Sequence, residues 1–154
     1  MISLVMDTSN SYLAVGLFKD NMCLEAFQEK GSRRQSEKAI PSLKEVLDRH
    51  HIALKDVNEM IITSGPGSYT GVRVAMTIAK TLAAVSDVRI KSVSSLAAYA
   101  GMNQALSVID ARGHKVFVGV YENGLPLIKE QVMTLEDFTQ LRAEYEDFEL
   151  VGEV

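Results

Sequence analysis

Two stretches of this chain repeat each other at a constant spacing. "VMDTSNSYLAVGLFKDNMCL" (Val5 to Leu24) aligns without a gap on "VIDARGHKVFVGVYENGLPL" (Val108 to Leu127). Val5 meets Val108, Asp7 meets Asp110, Val15 meets Val118, Gly16 meets Gly119 and Leu24 meets Leu127, all at an offset of 103 residues. Met6 with Ile109, Leu17 with Val120, Phe18 with Tyr121 and Asp20 with Asn123 are conservative pairs around them. Unrelated strands share alternating apolar residues, but they do not share an aspartate closing one strand and a glycine inside the next. The repeat therefore restricts the fold to two similar units.

Each copy reads as a three-strand meander: "SLVMD", a polar turn, "LAVGLF", a short "KDN" or "ENG" turn, and a third strand. After the first meander the spacing predicts a helix over "SEKAIPSLKEVLDRHH", with Ile40, Leu43 and Leu47 at helical intervals and Val46 widening the stripe. Pro41 marks the start of that helix or a bend in it. A strand "EMIITS", a helix of about Thr70 to Val85, a strand "VRIKSV" and a short helix capped by Ser94 or Ser95 and ended by Gly101 follow. The second copy continues only through a helix "LEDFTQLRAEY" and a strand "FELVGEV". The expected organisation is a first α/β lobe over 1–103 and a partial second lobe over 104–154, with the chain a fragment of a longer protein.

Two α/β lobes, each opened by a hairpin with an aspartate ending its first strand, resemble the actin, Hsp70 and sugar-kinase superfamily of ribonuclease H-like folds with mixed sheets. In that superfamily the hairpin turns grip nucleotide phosphates, which makes Asp7, Thr8, Asp110 and Arg112 the candidate, vestigial phosphate turns. A competent grip needs glycines so that backbone N–H groups reach the anion. The first turn, Asp7 to Ser11, has none, and the second, Asp110 to His114, has Gly113 alone. An aspartate after a buried strand also serves simply to cap the turn.

The glycine-rich stretch "SGPGSYTGVRVAMTIAKTLA" is a poor phosphate loop. It lacks the lysine and hydroxyl of G-x-x-x-x-G-K-[ST], and its spacing is G-x-G-x-x-x-G rather than the dinucleotide form. Gly65, Pro66 and Gly67 shape a corner, Ser68 or Thr70 caps the helix, and Gly71 permits close backbone approach. Ala75, Ala79 and Ala83 recur at i, i+4 on a helix that is apolar or small almost all round, which suggests burial on two sides, one of them against another subunit.

Other chemistries find little footing. His50 and His51 point apart on a helix, and neither H-x-x-x-H nor G-x-S-x-G occurs. The acids of "DFTQLRAEYEDFE" read as a solvated face, and Arg33 and Arg34 in "GSRRQSEK" as a solubility feature. A net charge of −4 disfavours a general nucleic-acid binder. Cys23 is the single cysteine, and no apolar run approaches the roughly 20 residues needed to cross a bilayer, so a cytoplasmic location is expected.

The N-terminal "DTS", the "SGPGSYTGVRVAMTIAKTLA" segment and "DARGHKVFVGVY" together resemble the bacterial TsaB (YeaZ) family of the tRNA threonylcarbamoyladenosine machinery. The resemblance implies a non-catalytic subunit that dimerises with a TsaD-type catalytic subunit, which modifies an adenosine next to the tRNA anticodon. It implies a TsaE-type ATPase as further partner, a homodimer when alone, and tRNA contact only through the complex. No cofactor is expected on this chain alone; ATP or ADP and the metal belong to partner subunits. The implied interface is the helices of about Ser36 to Arg49 and Thr70 to Val85, with Ile40, Leu43, Leu47, Tyr69, Val72, Arg73, Ala75, Met76, Ala79 and Ala83. Gln35 stands where family members often have His, and family members usually run well past "LVGEV". The alternative is a nucleotide-binding, kinase-like or peptidase-like enzyme of the same superfold, with Asp7 and Asp110 around magnesium and ATP.

Overall fold

Alternating apolar residues set the first sheet. In the computed structural model, which describes residues 1–30 and 35–153 (with nothing said of the Gln35 and Ser36 side chains), β1 (Ile2–Asp7), β2 (Tyr12–Lys19) and β3 (Met22–Lys30) form the first meander. Leu4 and Met6 of β1 and Leu13, Val15 and Leu17 of β2 are buried, the period of two that a strand with one covered face requires. Asp20 and Asn21, at φ 51° and 66°, make the two-residue hairpin between β2 and β3.

Helix α1 (Gln35–Arg49), β4 (Glu59–Thr63), α2 (Tyr69–Val85) and β5 (Arg89–Val93) complete the sheet in the order β3-β2-β1-β4-β5, with β4 parallel to both β1 and β5. Helix α1 starts at Gln35 and includes Pro41, with the proline on its exposed side. Its inward stripe is Ala39, Leu43, Val46 and Leu47. These meet Ala75, Ile78 and Ala79 of α2 and Met60 and Ile62 of β4 in one cluster. Each fully buried Leu or Met there contributes about 1.5–3 kcal/mol.

The second unit repeats the plan. Strands β6 (Ala105–Arg112), β7 (Lys115–Glu122) and β8 (Leu125–Thr134) form its meander, followed by helix α4 (Leu135–Glu144) and β9 (Glu149–Glu153), parallel to β6. Short helix α3 (Ser95–Ala100) precedes them. Asn123 and Gly124, at φ 54° and 78°, turn the β7–β8 hairpin as Asp20 and Asn21 turn the first one. The sheet order is β8-β7-β6-β9. Leu106, Val108, Val116, Val118 and Val120 pack under Leu141 and Phe138 of α4, while Ala105, Ile109 and Tyr121 pack under Leu96 and Ala100 of α3.

The repeat is visible in its glycines. A Cβ on Gly16 would lie 2.9 Å from the Phe18 ring, and one on Gly119 would lie 2.7 Å from the Tyr121 ring. In each copy the aromatic two residues on lies across the glycine, so the pair is kept together. The copies differ by one residue in register: Val5 pairs with Gly16, but Val108 pairs with Val118, the shift arising at an irregularity between Asp110 and Arg112.

The compact units comprise residues 1–64 with 68–93, and residues 65–67 with 94–154. This division differs from the boundary at 103 expected from the sequence. The reason is α3, whose apolar side packs on β6 and β7 instead of closing the first sheet.

Candidate functional site

The Asp7 turn is held from several sides. One carboxylate oxygen of Asp7, Oδ1, accepts hydrogen bonds from the Ser9 backbone N–H (2.8 Å), the Ser9 hydroxyl (2.6 Å) and the Thr63 hydroxyl (2.7 Å). The first two make the local turn that an aspartate favours; the third joins the ends of the parallel strands β1 and β4. Thr8, fully buried, donates its hydroxyl to the Gly71 carbonyl. Ser68 donates its backbone N–H to the Ser9 carbonyl at 2.7 Å and caps α2 by accepting from the Gly71 N–H at 3.2 Å. A Cβ on Gly71 would sit 1.8 Å from the Thr8 carbonyl oxygen. The glycine thus serves close approach, as its place after the corner suggests.

The Asp110 turn belongs to the second unit. Its Oδ1 accepts the Arg112 N–H at 2.9 Å, and Arg112 has a left-handed φ of 62°. Each aspartate accepts from its own turn, and Asp7 also from Thr63 of β4.

The helices of the first unit carry the remaining candidates, and the structure sorts them. Leu43, Leu47, Ala75 and Ala79 are 4%, 7%, 0% and 0% exposed and lie in this chain's own core. The expectation that the alanine stripe meets another subunit is corrected for Ala75 and Ala79: their small size lets α2 sit close on its own sheet. Met76 and Ala83 are half-buried against the same cluster, and Val72 is half-buried. Ile40 is 55% exposed and Tyr69 76% exposed. Arg73, one turn after Tyr69, lies with its guanidinium 5.3 Å from the Tyr69 ring centroid and donates to its hydroxyl at 3.2 Å. A shallow groove along α2 is lined by Tyr69, Thr70, Arg73, Val74, Thr77 and Ile78. The outward face of α2 is thus an aromatic–cation pair among threonines, not the apolar surface expected all round.

Three polar clusters escaped the sequence reading. Glu59 is buried on β4, where its Oε1 accepts from Ser3 at 2.8 Å and its Oε2 lies 3.0 Å from the Lys91 ammonium; hydrogen bonding from Lys91, then from Ser3, holds it below the usual carboxylate range. The Glu25 carboxyl is lowered to about 2 by the Arg49 guanidinium and then His50. Tyr121 donates to Glu130 at 2.6 Å, and burial, then that carboxylate, pushes its phenol well above the usual range. The one local signal was an acid at the head of the apolar run "EMIIT"; the other partners lie far apart in sequence. Among the described residues, no group of three or more His, Cys, Asp or Glu is placed to hold a metal ion, and no helix is long and apolar enough to cross a membrane.

Several known proteins resemble this chain in sequence and in fold. A family model described as "TsaD: tRNA N6-adenosine threonylcarbamoyltransferase" matches residues 28–147. The tRNA threonylcarbamoyladenosine biosynthesis protein TsaB of Bacillus subtilis is 32% identical, over 94% of this chain and 67% of its own length. The protein of the same name from Escherichia coli is 31% identical, over 79% of this chain and 57% of its own length. The chain therefore spans between about half and two thirds of these relatives. YeaZ from Pseudomonas aeruginosa superposes with a TM-score of 0.80 at 29% identity, covering 86% of this chain and 67% of that one. The ethanolamine utilization protein EutJ of Carboxydothermus hydrogenoformans, at 12% identity and a TM-score of 0.52 over 95% of this chain and 57% of its own, shares the fold alone. The architecture is the actin/Hsp70/sugar-kinase type, with mixed sheets and flanking helices. By its repeat, its "SGPGSYTGVRVAMTIAKTLA" corner and these matches, the chain belongs to the TsaB (YeaZ) family of tRNA threonylcarbamoyladenosine biosynthesis proteins.

Proposed function

We propose that this chain is a non-catalytic TsaB-type subunit that docks on a TsaD-type catalytic subunit through the outward faces of α1 and α2. The observation that carries this reading is the exposed Tyr69–Arg73 pair on α2. Tyrosine and arginine are among the residue types enriched at the hot spots of protein interfaces. Ile40 on α1 adds an exposed apolar side chain, while Val72, Met76 and Ala83 present partial surface. Leu43, Leu47, Ala75 and Ala79 support that surface from beneath.

The non-catalytic part of the reading is supported by the turns. Asp7 is engaged by three donors, its turn has no glycine to admit an anion, and the buried Thr8 hydroxyl is committed to Gly71. In this reading ATP or ADP and the metal belong to the partner subunits, a TsaE-type ATPase joins the pair, and tRNA is met only through the assembly. Alone, the chain forms a homodimer through the same helices, and its setting is the cytoplasm.

The test is co-purification of the chain with a TsaD-type subunit, followed by light scattering. Tyr69→Ala combined with Arg73→Glu is expected to abolish the complex while the fold survives. A complex unchanged by the double substitution overturns the reading, as does micromolar ATP–magnesium binding that Asp7→Asn removes.

A further inference from the structure

The two meanders are closed differently by the helix that follows each. Leu17 pairs with Glu25 and Leu13 with Glu29; at the corresponding places of the second unit Val120 pairs with Ile128 and Val116 with Met133. In the first unit the acids of β3 reach α1. Glu25 accepts from Arg49 Nε at 3.1 Å and lies 2.9 Å from the His50 ring, and Glu29 lies 2.9 Å from the Lys38 ammonium. In the second unit those acids are replaced by Ile128 and Met133, and among the described residues no ion pair joins α4 to β8.

An open groove of about 650 Å³ remains along that seam. Ile128, Gln131 and Met133 line it from the strand, and Asp137, Leu141 and Glu144 from the helix. Its carboxylates are poorly matched. The Arg142 guanidinium donates instead to the carbonyls of Tyr145 and Phe148, at 3.2 and 2.7 Å. Lys115, opposite Thr134, is the one cation among the described lining residues.

Strand β8 is also the edge of its sheet. Over residues 125–130 that edge is blunted: Pro126 has no amide hydrogen, and the pairing slips between Val118 and Val120 and again between Val120 and Tyr121. Residues 131–134 pair one for one with 115–118, without slip, proline or charge. The regular half of the edge is the half that borders the groove.

We propose that this groove receives an extended basic segment of a partner polypeptide, which adds a strand along residues 131–134 and sets lysine or arginine side chains against Asp137 and Glu144. In such pairing the main chain supplies affinity and alternate side chains supply selectivity. The first unit indicates the occupant's chemistry, since there acid meets base across the same seam. Here the acids stand on α4, and no basic residue of β8 lines the groove. A second copy is a poor occupant: its β8 sets Glu130 beside Lys129, and the chain carries a net charge of −4. The proposal stands apart from the α1–α2 docking reading, whose residues lie in the first unit.

The probe is a short synthetic peptide alternating lysine with valine, titrated into the chain and followed by NMR. Amide hydrogen exchange within residues 131–134 is expected to slow at least about tenfold as edge amides become paired. Binding is expected to weaken as salt rises. Asp137→Asn combined with Glu144→Gln is expected to weaken it at least about tenfold, as is Gln131→Lys, which changes an exposed strand side chain and leaves α4 intact. The same peptide methylated on alternate backbone nitrogens is expected not to bind. Binding indifferent to these substitutions or to the methylation overturns the proposal, and so does unchanged exchange within residues 131–134. No saturation by about 1 mM peptide overturns it as well. Concentration-dependent protection without peptide also overturns it, by showing that a second copy takes the edge.

Discussion

Gly71 and Thr8 are pressed backbone to backbone: the glycine carbonyl receives the buried Thr8 hydroxyl, and a Cβ on the glycine would overlap the Thr8 carbonyl oxygen at 1.8 Å. The start of α2 is thereby fastened to the turn after β1. Gly71→Ala is expected to force the two apart and cost about 1–3 kcal/mol or more, as overpacking does. Thr8→Val, which removes the hydroxyl's bond to the Gly71 carbonyl and leaves that carbonyl its helical partner, is expected to cost about 0.5–1.5 kcal/mol. Urea unfolding followed by circular dichroism measures both, and unchanged midpoints would contradict the close contact.

The α2 surface separates stability from association. Tyr69→Ala and Arg73→Glu change exposed side chains and are expected to shift unfolding by less than about 0.5 kcal/mol. Each is expected to weaken binding to a TsaD-type subunit by about 2 kcal/mol or more, roughly thirtyfold. Isothermal titration measures the affinity. Ala79→Arg gives the opposite pattern: it places a charge in the core and is expected to unfold the chain. A folded Ala79→Arg variant that merely lost its partner would return the alanine stripe to the interface.

Tyr121 links β7 to β8 through its hydroxyl on Glu130, while its ring lies across Gly119. Tyr121→Phe keeps the ring and removes the donor, and is expected to cost about 1 kcal/mol. Gly119→Val drives branched carbon into that ring and is expected to cost more than Tyr121→Phe in the same thermal melt. The reverse ranking would show that the hydroxyl, not the ring, holds the pair.

Acid should weaken the β3–α1 contact in a defined window. Glu25 in the folded chain has its pKa lowered from 4.5 to about 2 by Arg49 and then His50. Between those values the unfolded chain binds more protons, so stability rises with pH there. The contribution is complete above about 4.5 and is lost as pH falls toward 2; for a group open in part to solvent it is small. Arg49→Ala is expected to move the Glu25 titration, followed by NMR, toward 4.5. A titration that stays put would exclude Arg49 as the main cause.

Much of this architecture was legible because it rests on local or repeated signals. Asp7 with Asp110 and Gly16 with Gly119 disclosed the two units, and Ser68 and Ser94 announced their helices by capping chemistry. What stayed hidden depends on which surface covers a residue. Ala75 and Ala79 form the same stripe whether a sheet or a sister chain lies against them. The inward residues of α1 looked no different in sequence from Ile40, which points outward. The one-residue slip of the second meander arises at Asp110–Arg112 and leaves the alternation of β7 intact, so spacing alone did not betray it. The Glu59–Ser3–Lys91 cluster joins three strands and has no local spacing to read.

The threefold engagement of Asp7 has a mechanical consequence. Because the same oxygen ties Ser9 on its own loop and Thr63 at the end of the neighbouring strand, neither segment can swing outward without surrendering a bond to the other. The loop is thereby pinned at two places, within its own turn and at the exit of β4.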